Sequence, residues 1–133
     1  MTVAGDVGTS AAAELAVQEL VVRQMMLDER SDGPVFVSFG RARLDAVDPP
    51  AGFLERLADV GVVLKPVSEY RENTDQNPVL LVVHVKKWIS ETEAHILATR
   101  YRLGAGGAEG FTAVAKWSDG VWSVRERIER WST

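Results

Sequence analysis

Residues 79–131 read VLLVVHVKKWISETEAHILATRYRLGAGGAEGFTAVAKWSDGVWSVRERIERW, and their period decides the fold. Apolar side chains alternate with polar ones along most of this stretch, the two-residue rhythm of strands. Ser90-Glu91, the glycine-rich segment 104–109 and Asp119-Gly120 interrupt it. Four strands follow, at 79–89, 92–103, 110–117 and 121–131, joined by connections short enough to make an antiparallel meander.

Loop length sets register, and a one-residue slip turns every side chain over. A two-residue turn at Ser90-Glu91 puts Leu81 opposite Arg100, and Leu103 opposite Gly110 puts Arg100 opposite Ala113. A two-residue turn at Asp119-Gly120 puts Trp117 opposite Trp122 and Ala113 opposite Glu126. The three assumptions give one inner face with rows Val85–Ile96–Trp117–Trp122, Val83–Ala98–Ala115–Val124, Leu81–Arg100–Ala113–Glu126 and Val79–Arg102–Phe111–Ile128. A three-residue bulged turn at Ser118-Asp119-Gly120 would point Trp122, Val124 and Ile128 outward, and is rejected for that reason.

Upstream of the sheet, residues 1–8 read as a loose tail, and Thr9 or Ser10 caps a helix running to about Glu29. Ala13, Ala16, Val17, Leu20, Val21, Gln24 and Leu27 form its inward stripe. Ser31-Asp32-Gly33-Pro34 ends it, and Val35 to Phe39 reads as a short strand. Asp48-Pro49-Pro50 signals a second, short helix with Phe53, Leu54, Leu57 and Val60 on its apolar side and Gly61 as its cap. Val62 to Val67 reads as an edge strand, because Pro66 fits only there, and residues 71–78 as a polar loop. The expectation is a single α+β domain over residues 1–133, with the long and short helices packed on a curved antiparallel sheet.

Composition narrows the function classes. The 133 residues include no cysteine, which removes disulfides, thiol catalysis and thiolate metal sites. Residues 1–78 hold 7 basic and 13 acidic side chains, against 8 and 6 in residues 79–133, a balance that argues against a nucleic-acid partner. No signal peptide and no apolar run of membrane-spanning length is visible, so a cytoplasmic protein with no membrane partner is expected.

The long first helix, short second helix and four-stranded curved meander resemble the cone-shaped cystatin-like fold of nuclear-transport-factor-like and ketosteroid-isomerase-like proteins. Phe36-Val37-Ser38-Phe39-Gly40, Asp48-Pro49-Pro50 with Phe53-Leu54, and Lys65-Pro66-Val67-Ser68 are also similar to segments of an uncharacterised bacterial family of that expected shape. Trp88-Ile89-Ser90 with Glu93-Ala94, Gly120-Val121-Trp122-Ser123-Val124 and Trp131-Ser132 extend the likeness over most of residues 35–133. These are turn and core residues, so the resemblance implies a fold and transfers no mechanism.

Arg100 and Glu126 are the candidate site. Two strands apart, roughly 9–10 Å across the sheet, they can meet over Ala113 as a structural ion pair or as the polar floor of a pocket walled by Phe111, Trp117 and Trp122. A steroid-isomerase-type site needs a carboxylate base with separate oxyanion donors, and an epoxide-hydrolase-type site sets an arginine between two carboxylates; this inner face supplies one carboxylate. His84 and His95 fall on the outer face with no triad partner and no metal set. The glycines at 104–107 lack the lysine and helix start of a phosphate loop. Lys116, Arg125 and Arg127 could hold an anion, diluted by Glu93 and Glu129.

On the outer face Leu80, Val82, Trp88, Leu97, Tyr101 and Val114 suggest a surface for a homodimer. The functional expectation is a dimeric, non-enzymatic module binding a small apolar ligand or a protein, with no cofactor and no metal. The alternatives are a small hydrolase, dehydratase or isomerase using Glu126 and Arg100, and a purely structural domain.

Overall fold

The computed structural model describes residues 1–29, 33–72 and 77–133. The expected turn residues Ser31 and Asp32, and residues 73–76 of the expected loop, lie outside these. Helix α1 spans Ala11–Leu27, and Ser10 caps it by accepting a hydrogen bond from the Ala13 backbone N–H. The strands are β1 (Val3–Ala4), β2 (Val35–Ser38), β3 (Leu64–Pro66), β4 (Val79–Ser90), β5 (Glu93–Arg102), β6 (Ala108–Ser118) and β7 (Val121–Ser132). They form one strongly curled sheet in the order β1-β7-β6-β5-β4-β2-β3.

The expectation of an antiparallel sheet holds for the meander and for β1 on β7, but not at the opposite edge. β2 runs parallel to both β4 and β3, so the sheet is mixed. The chain passes through residues 39–63 between β2 and β3, long enough for the crossover that parallel pairing requires. Pro66 sits in the edge strand β3, where its missing N–H is not needed.

The short helix is a 3₁₀ helix over Leu54–Val60, beginning after Pro49-Pro50 rather than at it. Phe53 N–H bonds to the Pro50 carbonyl first, and Gly61 closes the helix in the left-handed conformation (φ 85°), as its sequence position suggests. Leu57 is fully buried, and the Phe53 ring meets Phe39 edge-on at 4.8 Å.

Residues 1–8 are not a free tail. β1 pairs with β7, and the indole N–H groups of Trp117 and Trp122 donate to the carbonyls of Gly5 and Asp6 at 3.0 Å each. This strap, the 3₁₀ helix and the inner face of the sheet surround α1, which touches β1, β4, β5 and β7. Burial therefore exceeds the narrow stripe expected: Val22, Met25 and Met26 are buried as well. Leu27, placed in the stripe by its spacing, is instead exposed because the helix ends there.

The meander's register is right in two places and wrong in two. Leu81 opposes Arg100 and Val85 opposes Ile96, as expected. The turn itself falls one residue later, at Glu91-Thr92, and two irregularities in β4 absorb the difference. The first of these, between Val85 and Lys87, turns Trp88 into the core, where it meets Trp122 edge-on at 5.8 Å.

Between β5 and β6 the slip is four residues: Arg100 opposes Glu109, not Ala113, and Ile96 opposes Ala113, not Trp117. Gly106 and Gly107, at φ 80° and 92°, let the chain reverse sooner than a loop ending at residue 109. Four is even, so Phe111, Ala113, Ala115 and Trp117 still face α1.

At the last hairpin Asp119 and Gly120 both take positive φ, which makes the expected two-residue turn. Trp117 opposes Trp122 and Ala115 opposes Val124. A bulge then shifts the pairing by one, so Val114 opposes Glu126, Ala113 opposes Arg127 and Thr112 opposes Ile128. Glu126 and Ile128 thus lie on the outer face, and Arg127 takes the inner position expected for Glu126.

Beyond Trp122, β7 has no outer strand partner among the described residues. Its bulges and its exposed Arg125, Glu126, Glu129 and Arg130 are the features that keep such an edge from pairing with other chains. The two helix positions that share a sequence pattern but not an environment give a direct test. Leu20→Ala should destabilise the protein by about 2–5 kcal/mol in urea unfolding. Leu27→Ala should stay within about 0.5 kcal/mol of the parent; equal costs would contradict the packing.

Candidate functional site

The last turn of α1 leaves carbonyls without intrahelical donors and carries the negative end of the helix dipole. Arg100, projecting from β5 toward that end, answers both. Its Nη2 donates to the Met25 carbonyl at 2.6 Å, and its Nη1 donates to Glu109 Oε1 at 3.1 Å. Its Nε lies 2.8 Å from Glu29 Oε2, close enough for a strong ion pair, although the N–H is not aimed for a hydrogen bond. Arg102, two residues along the same strand, bridges Glu29 Oε1 at 3.3 Å and Glu109 Oε1 at 3.6 Å.

Burial separates the members. The Glu29 side chain is 0% exposed and that of Arg100 11%, against 40% for Arg102 and 49% for Glu109. These two arginines and two carboxylates balance in charge. Swapping such a buried set for apolar residues can be neutral or stabilising, whereas removing one member strands a charge.

Beside this cluster lies a cleft of about 320 Å³ whose lining also includes Asp28, Gly110, Phe111, Arg127, Arg130 and Trp131. Arg127 stacks on the Phe111 ring, its guanidinium carbon 4.6 Å from the ring centre. The Trp131 indole lies against Gly110 on the opposite, outer face of β6, where a Cβ on that glycine would come within 2.7–2.8 Å of three indole atoms, so Trp131 reaches the cleft at the strand edge and not with its ring beside Phe111. Arg127 Nη1 is 3.9 Å from Asp28 Oδ2, the outer limit of an ion pair, and Arg130 has no ion-pair partner among the described residues. Positive charge in the cleft is therefore least compensated on β7.

Of the residues expected to line a pocket, the structure brings Arg100 and Phe111 to this cleft. Ala113 is buried beneath neighbouring side chains, and Trp117 and Trp122 belong to the opposite end of the sheet, where they hold the strap. Glu126 is exposed beside Val114 on the other face, so the Arg100–Glu126 pair does not form. Glu29, Glu109 and Trp131 were not anticipated as site residues. Arg127 was expected in an outer anion patch, and the bulge moves it inside.

The surface expected for a dimer is largely taken by the chain itself. Leu80 and Val82 pack with Phe36 under Val67, Tyr70, Tyr101 and Leu103, and Trp88 is in the core. Leu97 stays half-buried, and Val114 is buried among outer-face neighbours. His84 Nδ1 lies 3.0 Å from the Phe39 carbonyl, which can only accept, so the proton sits on that nitrogen. His95 pairs with Glu93 at 3.2 Å. No group of three or more metal-ligating His, Asp or Glu side chains occurs among the described residues.

A second hollow, about 440 Å³, separates the strap, the first turns of α1 and residues 50–56. Its buried carboxylate, Glu19, is already engaged by Arg23 at 3.1 Å and Arg56 at 2.8 Å. Arg23 also donates to Asp59 at 2.8 Å, and that contact holds the Asp59 carboxyl below its ordinary range. This network clamps the 3₁₀ helix to α1.

No protein-family model matches this chain, no curated protein is similar enough to count as a relative, and no solved structure matches it. Among the described residues, no helix is long and apolar enough to cross a membrane.

Two outcomes are expected. Arg100→Met should cost about 3–5 kcal/mol in urea unfolding, and adding Glu29→Leu should recover most of that, because both charges then leave together. On the outer face, Thr112 first and then Lys86 hold the Glu129 carboxyl below its usual value near 4.5. A depressed carboxylate contributes fully above that ordinary value, and its contribution is lost as pH falls through the folded one. Thr112→Val should therefore raise the Glu129 midpoint toward 4.5, read by NMR titration; an unmoved midpoint would remove Thr112 as the cause.

Proposed function

We propose that this protein is a non-enzymatic small-ligand-binding module whose ligand is a small organic anion held in the β7 cleft. One observation carries the reading: Arg127 and Arg130 border a concave space beside the Phe111 ring, and among the described residues the only carboxylate in ion-pair range of Arg127 is Asp28 at 3.9 Å. Guanidinium groups take carboxylates and phosphates through paired N–H donors, and a cleft wall weakens the competition from water. The earlier expectation of an apolar ligand gives way here to a charged one, because four arginines touch this space.

A second reading, a small hydrolase, has one observation in its favour. Arg100 does sit between two carboxylates, Glu29 and Glu109. Against it, Glu29 is fully buried and does not line the cleft, so it has no access to a substrate or an attacking water. Glu126, the base first considered, is on the opposite face of the sheet from Arg100. For the architecture, the long helix cradled by a curled four-stranded meander supports assignment to the cystatin-like, cone-shaped class. The lack of cysteine is compatible with a reducing compartment, and a cytoplasmic protein is part of the proposal.

The test is a titration of the full chain with acetate, benzoate and inorganic phosphate, followed by backbone and indole NMR shifts. Saturable shifts confined to Gly110, Phe111, Arg127 and Trp131 are expected. Arg127→Gln combined with Arg130→Gln should weaken binding at least tenfold. Shifts scattered over the surface, or none, would reject the cleft.

A further inference from the structure

The β7 cleft carries its own competitor, on the reading that it takes a small organic anion. We infer that Asp28 is a displaceable stand-in for the ligand: its carboxylate stands beside Arg127, and an external carboxylate takes Arg127 by displacing it.

Asp28 occupies a position that local physics disfavours. It is the C-cap of α1, where its backbone N–H meets the Met25 and Met26 carbonyls. The negative end of the helix dipole lies there, which favours a cation and repels an anion. The last turn of α1 has no basic residue, and an acid follows it instead. A residue set against its local preference draws its gain from elsewhere. Among the described residues the one ion-pair partner of Asp28 is Arg127, whose Nη1 lies 3.9 Å from Asp28 Oδ2.

That contact is loose. A charge-assisted N–H···O bond settles at about 2.7–2.9 Å, so the tethered carboxylate stops about an ångström short of one. The two partners also differ in freedom. Arg127 is held against the Phe111 ring, with its guanidinium carbon 4.6 Å from the ring centre and its side chain 22% exposed. Asp28 is 63% exposed on a short side chain, and its backbone is fixed by the cap. It can turn into water without moving the helix. An untethered carboxylate can close the last ångström to Arg127, with Arg130 also in the lining. Two carboxylates at one guanidinium repel each other, so ligand and Asp28 compete.

The experiment uses the full chain, with acetate and benzoate as probes and the Gly110 and Phe111 amide shifts giving affinities. Asp28→Asn should strengthen both probes about two- to fivefold, the range an exposed ion pair allows. In an Arg127→Gln background, where Arg130 still attracts the anion, the same change should give less than about 1.5-fold. The parent chain supplies a readout free of substitutions: the Asp28 side-chain carboxyl carbon should shift as the cleft saturates.

Unchanged or weaker binding in Asp28→Asn overturns the competitor and leaves the anion cleft standing. So does an equal gain in the two backgrounds, because Asp28 would then act only as distant charge. An Asp28 carboxyl carbon that stays still while the amides saturate has the same meaning. No saturable shift in either the parent or Asp28→Asn overturns the anion cleft and the competitor together.

Discussion

A helix that ends inside a protein must have its last carbonyls met by donors, and here a guanidinium from the sheet joins the capping N–H groups of Asp28 and Glu29. Arg100 bonds to the Met25 carbonyl and contacts Glu29 just beyond the helix end. The contact fixes three things together. It sets where α1 stops, which stretch of β5 lies beneath that stop, and how β6 aligns so that Glu109 reaches the same guanidinium. A buried carboxylate such as Glu29 tolerates no loose arrangement, because its charge is costly wherever arginine is absent. The alignment of helix against sheet is therefore specified by charge at one end and by packing of Leu20, Trp122 and Ile96 elsewhere.

The cleft is lined on one side by that cluster. Arg100 and Arg102 are committed to Glu29 and Glu109, so they shape a floor more than they offer a site. The bulge in β7 then delivers Arg127 to the inner face above this floor, and a second irregularity near Glu129 brings Trp131 opposite Gly110. Glu129 itself takes a positive φ of 54°, uncommon for a residue with a side chain. The bulge that removes Glu126 from the inner face thus supplies the arginine that replaces it.

How much of this was legible follows from what alternation can and cannot report. Period two identified the four meander strands to within a few residues, and Asp119-Gly120 announced its turn through two residues tolerant of positive φ. The four-residue slip at the glycine-rich loop left every β6 side chain on its expected face, because an even error is invisible to a period of two. An odd error is not forgiven. In Val124-Arg125-Glu126-Arg127-Ile128 the charges leave no apolar marker to show where the extra residue enters, so Glu126 and Arg127 exchanged faces unannounced. Similarly, Lys86-Lys87 hid the irregularity that turned Trp88 inward. Glu109 escaped notice because it was assigned to a loop, and Glu29 because it lies past the periodic part of the helix. The parallel pairing of β2 depended on tertiary contacts that no local pattern encodes.

The two faces of the curled sheet divide the labour of charge differently. On the inner face the charges are few, centred on the buried Glu29 and Arg100 and paired with the more exposed Arg102 and Glu109, with excess at the open end where β7 carries Arg127 and Arg130. On the outer face, Lys86–Glu129, His95–Glu93 and Lys116–Glu93 form solvent-accessible or half-buried pairs at 3.2–3.6 Å, which solvent and salt reach. Pairs of that kind hold little free energy and leave a ligand nothing to displace that water would not also displace. On the proposed reading an anion gains more from the inner cleft, where Arg127 is already held in place by the Phe111 ring. That asymmetry, more than the size of either hollow, is why we propose recognition at the end of the sheet where α1 stops.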